Sequence, residues 1–240
     1  MSNKLKIVVT GGNGRFGKIL KKNVDKNYIF PNKKELDILN LKSILKYLKK
    51  NKPKYLIHLA GLSRPLELHE KNFKRSVNLN IIGTSNITIA CSELNIKLIF
   101  FSTSYVYPGK RGNYKETSPL LPSNNYAWSK LGAESAVHMY KNSLILRVSM
   151  TEKPFVHKYA FADMKTNFIF HEEFIKIFKK IIHYKGVLNI GGPSTSVYNF
   201  AKKYNKSVKK KYLKREKKNN LPFDTSMNLS KLKQLLKKRS

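Results

Sequence analysis

Cysteine is almost missing from this 240-residue sequence: Cys91 stands alone, so neither a disulfide framework nor a cysteine-based zinc site can be built. Acidic residues are scarce too, 14 Asp and Glu against 48 Lys and Arg, which leaves a formal charge of +34. No apolar run approaches the ~18 residues that cross a bilayer, so no membrane span is expected. Met1 to Lys6 lacks the apolar stretch and small-residue cleavage site of a secretory signal, and the expected location is the cytoplasm. The charge raises nucleic acid as a partner, because clustered cations release phosphate counterions on binding. The lysines, however, are spread along the chain with one denser stretch at Lys202–Lys218, and no zinc-finger, helix-turn-helix or aromatic RNA-binding signature accompanies them. Lysine, asparagine and isoleucine are abundant throughout, as compositional bias produces, so no specific nucleic-acid partner is expected. The cationic field still suits an anionic nucleotide.

What is present is a core: 41% of the residues are hydrophobic. Short apolar runs at Lys6–Thr10, Tyr28–Phe30, Tyr55–Leu59, Leu98–Phe101 and Leu144–Leu146 alternate with helix-like segments, including Leu41–Lys50, Asn78–Leu94 and Tyr126–Tyr140. Strands apolar on both faces and separated by helices predict an α/β fold, a doubly wound parallel sheet of Rossmann-like type. The organisation expected is a dinucleotide-binding domain over residues 1–147 and a small C-terminal substrate-binding cap over 148–240. A late strand near 187–190 returns to the sheet. The tail is too short for an independent core, so it is expected to pack as a cap.

The first strand runs into Thr10-Gly11-Gly12-Asn13-Gly14-Arg15-Phe16-Gly17. Glycines at 11, 14 and 17 allow a tight exit from the strand, close approach of backbone to a pyrophosphate, and close packing of the following helix. Free N–H groups at that helix start would face the anion.

A second pattern lies at Tyr126-Ala127-Trp128-Ser129-Lys130. Residues four apart share a helix face, and an ammonium beside a phenol lowers the phenol pKa toward neutrality. Thr103, 23 positions earlier at the end of a predicted strand, offers a hydroxyl to a substrate oxygen. His157, His171 and His183 are read as surface or packing residues.

Phosphate loop, Thr103 and Y-x-x-x-K, in this order and spacing, resemble the extended, nucleotide-sugar-modifying branch of the short-chain dehydrogenase/reductase superfamily. Glu35-Leu36-Asp37-Ile38 resembles the acidic-aliphatic pair that flanks the adenine in that branch, Leu59-Ala60-Gly61 the strand end passing the cofactor ribose, and Asn80–Asn86 its N-x-x-G-T-x-N helix. The resemblance implies an NAD(P)-dependent oxidoreductase transferring hydride between a nicotinamide and a carbinol or ketone carbon. In it Tyr126 donates the proton, Thr103 orients the oxygen, and Lys130 tunes Tyr126 and holds the nicotinamide ribose. Phe30-Pro31-Asn32-Lys33-Lys34 replaces the acid that an NAD enzyme places after strand two, so NADP(H) is preferred, with Lys33, Lys34 and Arg15 toward the 2′-phosphate and NAD(H) as the alternative.

The residues after Thr103 narrow the branch. The Asp-Glu pair of 4,6-dehydratases is replaced by Ser104-Tyr105, and the cysteine of GDP-fucose synthases is missing there. Thr103-Ser104-Tyr105-Val106-Tyr107 instead is similar to the T-D-Y-V-F segment of dTDP-4-dehydrorhamnose reductases. Gly186–Gly192 and Pro222–Leu232 resemble segments of the same enzymes. The implied function is reduction of a nucleotide-linked 4-keto-6-deoxy sugar. A 4-epimerase and a non-catalytic NADP-binding regulatory subunit of the methionine adenosyltransferase type stay open. A nucleotide sugar is the expected partner, and the resemblance is compatible with a homodimer.

Overall fold

The computed structural model describes residues 5–155, 157–215 and 220–238. Met1–Lys4 and Glu216–Lys218, which carry parts of the signal-segment and lysine-stretch readings, lie outside the described residues.

In chain order the elements begin with β1 (Ile7–Thr10), α1 (Arg15–Lys22), β2 (Tyr28–Ile29), α2 (Leu41–Asn51) and β3 (Tyr55–His58). Next come α3 (Glu67–Lys71), α4 (Phe73–Ser76), a π-helical turn (Val77–Ile82), α5 (Gly83–Glu93), β4 (Lys97–Thr103) and α6 (Asn125–His138). They continue with β5 (Ser143–Val148), β6 (Met150–Thr151), β7 (Tyr159–Phe161), β8 (Lys165–Thr166), β9 (Ile169–Phe170), α7 (His171–Ile181) and β10 (Gly186–Ile190). The chain closes with β11 (Thr195–Ser196), α8 (Val197–Tyr204), β12 (Lys209–Lys211) and α9 (Ser230–Lys237).

β1 and β4 are buried along their whole length, as strands covered on both faces must be. They lie in one six-stranded sheet of order β10-β5-β4-β3-β1-β2. β1 pairs in parallel with β2 on one side and β3 on the other, and β3 pairs in parallel with β4. The winding therefore reverses at β1, and the crevice beyond the strand C-termini at such a reversal is where α/β sheets take ligands. α2 follows from local chemistry: the Asn40 side chain accepts from Ser43 N at 3.0 Å, and Ile44 and Leu48 form the buried stripe. Lys52, at φ 46°, ends the helix in the left-handed conformation while its N–H bonds Leu48 O.

The long helix expected over Asn78–Leu94 is not uniform. Its first turns are π-helical, and α5 begins only at Gly83. The wide turn carries Asn80, whose buried amide bonds the chain well away from the helix, and π-turns of this kind recur at functional sites.

The residues fall into two compact units. The first holds Met1–Ser102, Ser129–Ile145 and Tyr184–Gly186, with β1 to β3 and α1 to α5. The second holds Thr103–Trp128, Leu146–His183 and Val187–Ser240. Within the second, Phe155, Ala160, Met164, Val197, Ala201, Val208 and Leu213 form a hydrophobic cluster. The unit that holds this cluster also includes Thr103–Trp128, and Tyr105 packs against the cluster. The tail spaces these apolar residues over nearly sixty positions, too far apart for any local periodicity to display them.

Candidate cofactor-binding and catalytic residues

The glycine-rich loop sits in the first unit between β1 and α1. Gly11 has φ +74°, and a Cβ there would meet Ala60 N at 2.5 Å and Leu59 C at 2.6 Å. Leu59-Ala60-Gly61 thus lies directly against the loop, and only a residue without a side chain permits it. Gly14 N–H bonds Gly11 O at 3.0 Å and closes the turn. At Gly17 a Cβ would meet Gly11 O at 2.5 Å and Gly12 O at 2.7 Å, so the first turn of α1 is packed on the loop backbone. Phe16 is buried and its ring stands 5.4 Å from that of Phe101, while Asn13, Gly14 and Arg15 are exposed. Gly14 caps α1 without a side-chain acceptor, and no acid lies in the first turn. The exposed backbone and the cationic Arg15 at the helix start fit the pyrophosphate of a dinucleotide.

At the end of β2, Lys33 and Lys34 are exposed. The Asn32 side chain accepts from Lys34 N at 2.8 Å and Glu35 N at 3.2 Å, which fixes the turn that presents them. Asp37 accepts from Leu39 N at 3.0 Å. Ile38 is buried beside Gly83, where a Cβ would meet Ile38 Cδ1 at 2.7 Å.

α6 carries Tyr126 and Lys130 one turn apart. The Lys130 ammonium lies 4.1 Å from the centroid of the Phe100 ring on β4. Burial drives its pKa well below the ordinary lysine range, to about 7, and the Glu134 carboxylate pulls it upward. His58, at the end of β3, is fully buried and lies between two hydroxyls, Thr10 Oγ1 at 2.7 Å from Nδ1 and Thr84 Oγ1 at 3.1 Å from Nε2. Burial, with the Lys130 charge added, pushes its pKa down to about 3, so it is neutral at physiological pH.

Two polar pairings went unread in the sequence. Asn80 accepts from Leu62 N at 2.7 Å and donates to Leu62 O at 2.9 Å and Ser129 Oγ at 2.7 Å, which ties the chain after Gly61 to α6. Ser102 donates to Glu134 Oε2 at 2.6 Å, both residues being buried. The asparagine stood inside the quoted helix motif, and Glu134 continues the four-residue spacing of Tyr126 and Lys130. Those were the available signals.

In the second unit Thr103 is buried, and its Oγ1 accepts from Tyr105 N at 3.3 Å. The Tyr105 ring meets Tyr126 edge-on with centroids 6.3 Å apart. Tyr107 donates to Asn189 Oδ1 at 2.8 Å and accepts from Arg147 Nη1 at 2.9 Å. Ser104 donates to Thr225 Oγ1 at 3.4 Å. The segment after Thr103 is thereby joined to the Gly186–Gly192 and Pro222–Leu232 segments. His171 is buried, His157 and His183 are exposed, and Cys91 is buried in α5 with its thiol pKa raised by burial.

Among the described residues, no helix is long and apolar enough to cross a membrane.

Comparison with known proteins follows the same lines. GDP-L-colitose synthase of Yersinia pseudotuberculosis is 35% identical over 108 residues, covering 43% of this chain and 35% of that protein. GDP-6-deoxy-D-talose 4-dehydrogenase of Aggregatibacter actinomycetemcomitans is 30% identical over 152 residues, covering 57% of this chain and 49% of that protein. The chain thus matches half or less of these curated relatives' length. In fold it is similar to a dTDP-4-dehydrorhamnose reductase of Bacillus anthracis solved with NADP, with TM-score 0.87, 24% identity, and 96% and 92% of the two chains covered. It is also similar to WbmG of Bordetella bronchiseptica solved with NAD, with TM-score 0.78, 16% identity, and 98% and 89% covered. The family model described as the RmlD substrate-binding domain matches residues 5–167, more than half of the sequence, and the chain belongs to that family, within the extended short-chain dehydrogenase/reductase superfamily.

Proposed function

We propose that the chain is an NADPH-dependent reductase of a nucleotide-linked 4-keto-6-deoxy sugar, with Tyr126 as proton donor. The observation that carries this reading is α6, which sets Tyr126 one turn from a half-buried lysine whose ammonium lies 4.1 Å from the centroid of the Phe100 ring. A cation beside a phenol favours the phenolate, the form a proton donor leaves behind. When bound, the cofactor supplies hydride to the carbonyl carbon. Tyr126 delivers the proton to the carbonyl oxygen as charge develops there. The Thr103 hydroxyl hydrogen-bonds that oxygen and holds it toward Tyr126. Lys130 stabilises the phenolate left behind and binds the nicotinamide ribose. Gly11, Asn13, Gly14, Arg15, Phe16 and Gly17 receive the pyrophosphate, Asp37 and Ile38 flank the adenine, and Leu59-Ala60-Gly61 line the path of the ribose.

The preference for NADPH rests on Lys33 and Lys34, exposed at the end of β2, and on Arg15 at the start of α1. The substrate class is supported by the similarity to GDP-L-colitose synthase and GDP-6-deoxy-D-talose 4-dehydrogenase. A panel of nucleotide 4-keto sugars with NADPH, followed at the nicotinamide absorbance, tests the reading. Consumption of NADPH with one member is expected, and binding of NADPH with no turnover on any member rejects it.

A second reading has a specific observation behind it. The beta subunit of methionine adenosyltransferase 2 from Xenopus tropicalis is 27% identical over 152 residues, covering 59% of this chain and 45% of that protein. A chain acting as such a regulatory subunit would bind NADPH, reduce nothing and alter a methionine adenosyltransferase added to it.

A further inference from the structure

Tyr126, Lys130 and Glu134 stand four residues apart on α6 and so share one face. Glu134 is 3% exposed, a depth that carboxylates reach only with a partner. Ser102, as buried, donates to its Oε2 at 2.6 Å, the length of a hydroxyl bond to a charged acceptor. Ser102 immediately precedes Thr103 on β4, so the same strand end that presents Thr103 also fixes Glu134.

Burial lowers the Lys130 pKa, a cost that the attraction of the ammonium to an aromatic face offsets only in part. Below the ammonium is the Phe100 ring, 4.1 Å away. His58 on β3 and His69 on α3 are buried and feel the Lys130 charge, which disfavours their protonation, and Glu70 acts on His69 in the opposite sense. Tyr126 lies one turn earlier on α6, and the anion on the Lys130 face of that helix is Glu134. A lysine that turned neutral here would neither stabilise a phenolate nor hold ribose hydroxyls as a cation.

We propose that Glu134, fixed by Ser102, is a positioning residue whose carboxylate keeps Lys130 an ammonium in its desolvated setting. The proposal rests on the reading of Tyr126 and Lys130 given above for why that charge is needed, though not for the charge itself. It makes Tyr126, Lys130 and Glu134 a relay of fixed order along one helix, with the carboxylate acting only through the lysine.

The test is a pH titration of Lys130 in the cofactor-free protein, by NMR of lysines labelled at the ε-carbon, with the resonance assigned through its loss in Lys130→Met. Glu134→Gln keeps the shape and the acceptor for Ser102 and removes the charge. Its Lys130 midpoint is expected to fall by about one unit, the order of shift that a nearby opposite charge produces, leaving about tenfold less ammonium above the midpoint. Glu134→Asp restores the charge and is expected to recover most of that shift. In the active enzyme the alkaline limb of the pH–rate profile should move to lower pH in Glu134→Gln and return in Glu134→Asp, which a purely structural role would not produce. A Lys130 midpoint unmoved in a folded Glu134→Gln protein overturns the proposal. Should that variant not fold, Ser102→Ala, which leaves the carboxylate but releases it, must lower the midpoint, and an unchanged midpoint there overturns it equally. A shifted titration in a protein that reduces no keto sugar upholds this proposal and counts against the reductase reading alone.

Discussion

Three glycine-to-alanine substitutions separate space from strain in this fold. Gly17→Ala places a methyl 2.5 Å from Gly11 O and 2.7 Å from Gly12 O, backbone atoms that a side-chain rotation cannot clear. It also improves helix propensity by about 1 kcal/mol, because Gly17 lies in α1 at an ordinary helical φ. Overpacking of this kind costs about 1–3 kcal/mol, so against the propensity gain the net loss is about 0–2 kcal/mol, toward the upper end because both clashing atoms are backbone. Gly186→Ala is the complementary case: φ is +88° and nothing lies within 4 Å, so only left-handed strain remains, about 1 kcal/mol. Gly11→Ala suffers both, with φ +74° and Ala60 N at 2.5 Å, and should lose about 3 kcal/mol. At about 2–4 °C per kcal/mol for a chain of this size, thermal melts should rank Gly186→Ala mildest and Gly11→Ala most severe. Titration calorimetry with NADPH should show weakened binding in Gly17→Ala and Gly11→Ala, whose loops must shift, and unchanged binding in Gly186→Ala. Full stability and NADPH affinity in Gly17→Ala would refute the account of a loop clamped between α1 and the chain at Leu59–Gly61.

Three further outcomes follow from the same geometry. Tyr126→Phe should lower turnover about 10²–10⁴-fold with NADPH affinity nearly intact, whereas Lys130→Met should lower both, as steady-state kinetics and calorimetry on one active substrate will show. Removing the charges of Lys33 and Lys34 together should weaken NADPH binding and leave NADH binding unchanged in titration calorimetry, whereas removing Arg15 as well should weaken both, because its charge also meets the pyrophosphate. His58 is held neutral with a pKa near 3 in the folded chain against about 6.5 when unfolded, so the unfolded state binds the extra proton between these values. Its contribution is complete above pH ~6.5 and lost as pH falls toward 3, and urea melts across that range should show a shallower acid decline in His58→Gln than in the parent.

Much of this was legible because the signals are local. The phosphate loop and Y-x-x-x-K are short contiguous patterns, and strands buried on both faces announce themselves as apolar runs such as Ile7–Thr10 and Leu98–Phe101. What escaped the sequence is made by distant pairs. Ser102 meets Glu134 across 32 positions, and Asn80 reaches Leu62 and Ser129 across 18 and 49. Neither bond has a periodicity, and a buried carboxylate looks in sequence like any helix surface glutamate. The hydrophobic cluster of the second unit escaped for the same reason, since Phe155 and Leu213 belong to one cluster with β7, α8 and β12 between them in the chain. The π-helical turn at Val77–Ile82 leaves the hydrophobic pattern of a continuous helix almost unchanged, so the pattern alone reads as one helix.

The most direct measurement is isotopic. The protein is incubated with NADPH carrying deuterium at the transferable position of the nicotinamide and with a nucleotide-linked 4-keto-6-deoxy sugar, and the sugar product is weighed by mass spectrometry and mapped by NMR. The reductase account predicts one deuterium bound to carbon 4, at a rate that collapses in Tyr126→Phe. A product without deuterium, or NADPH that binds tightly and transfers none to any such sugar, contradicts it.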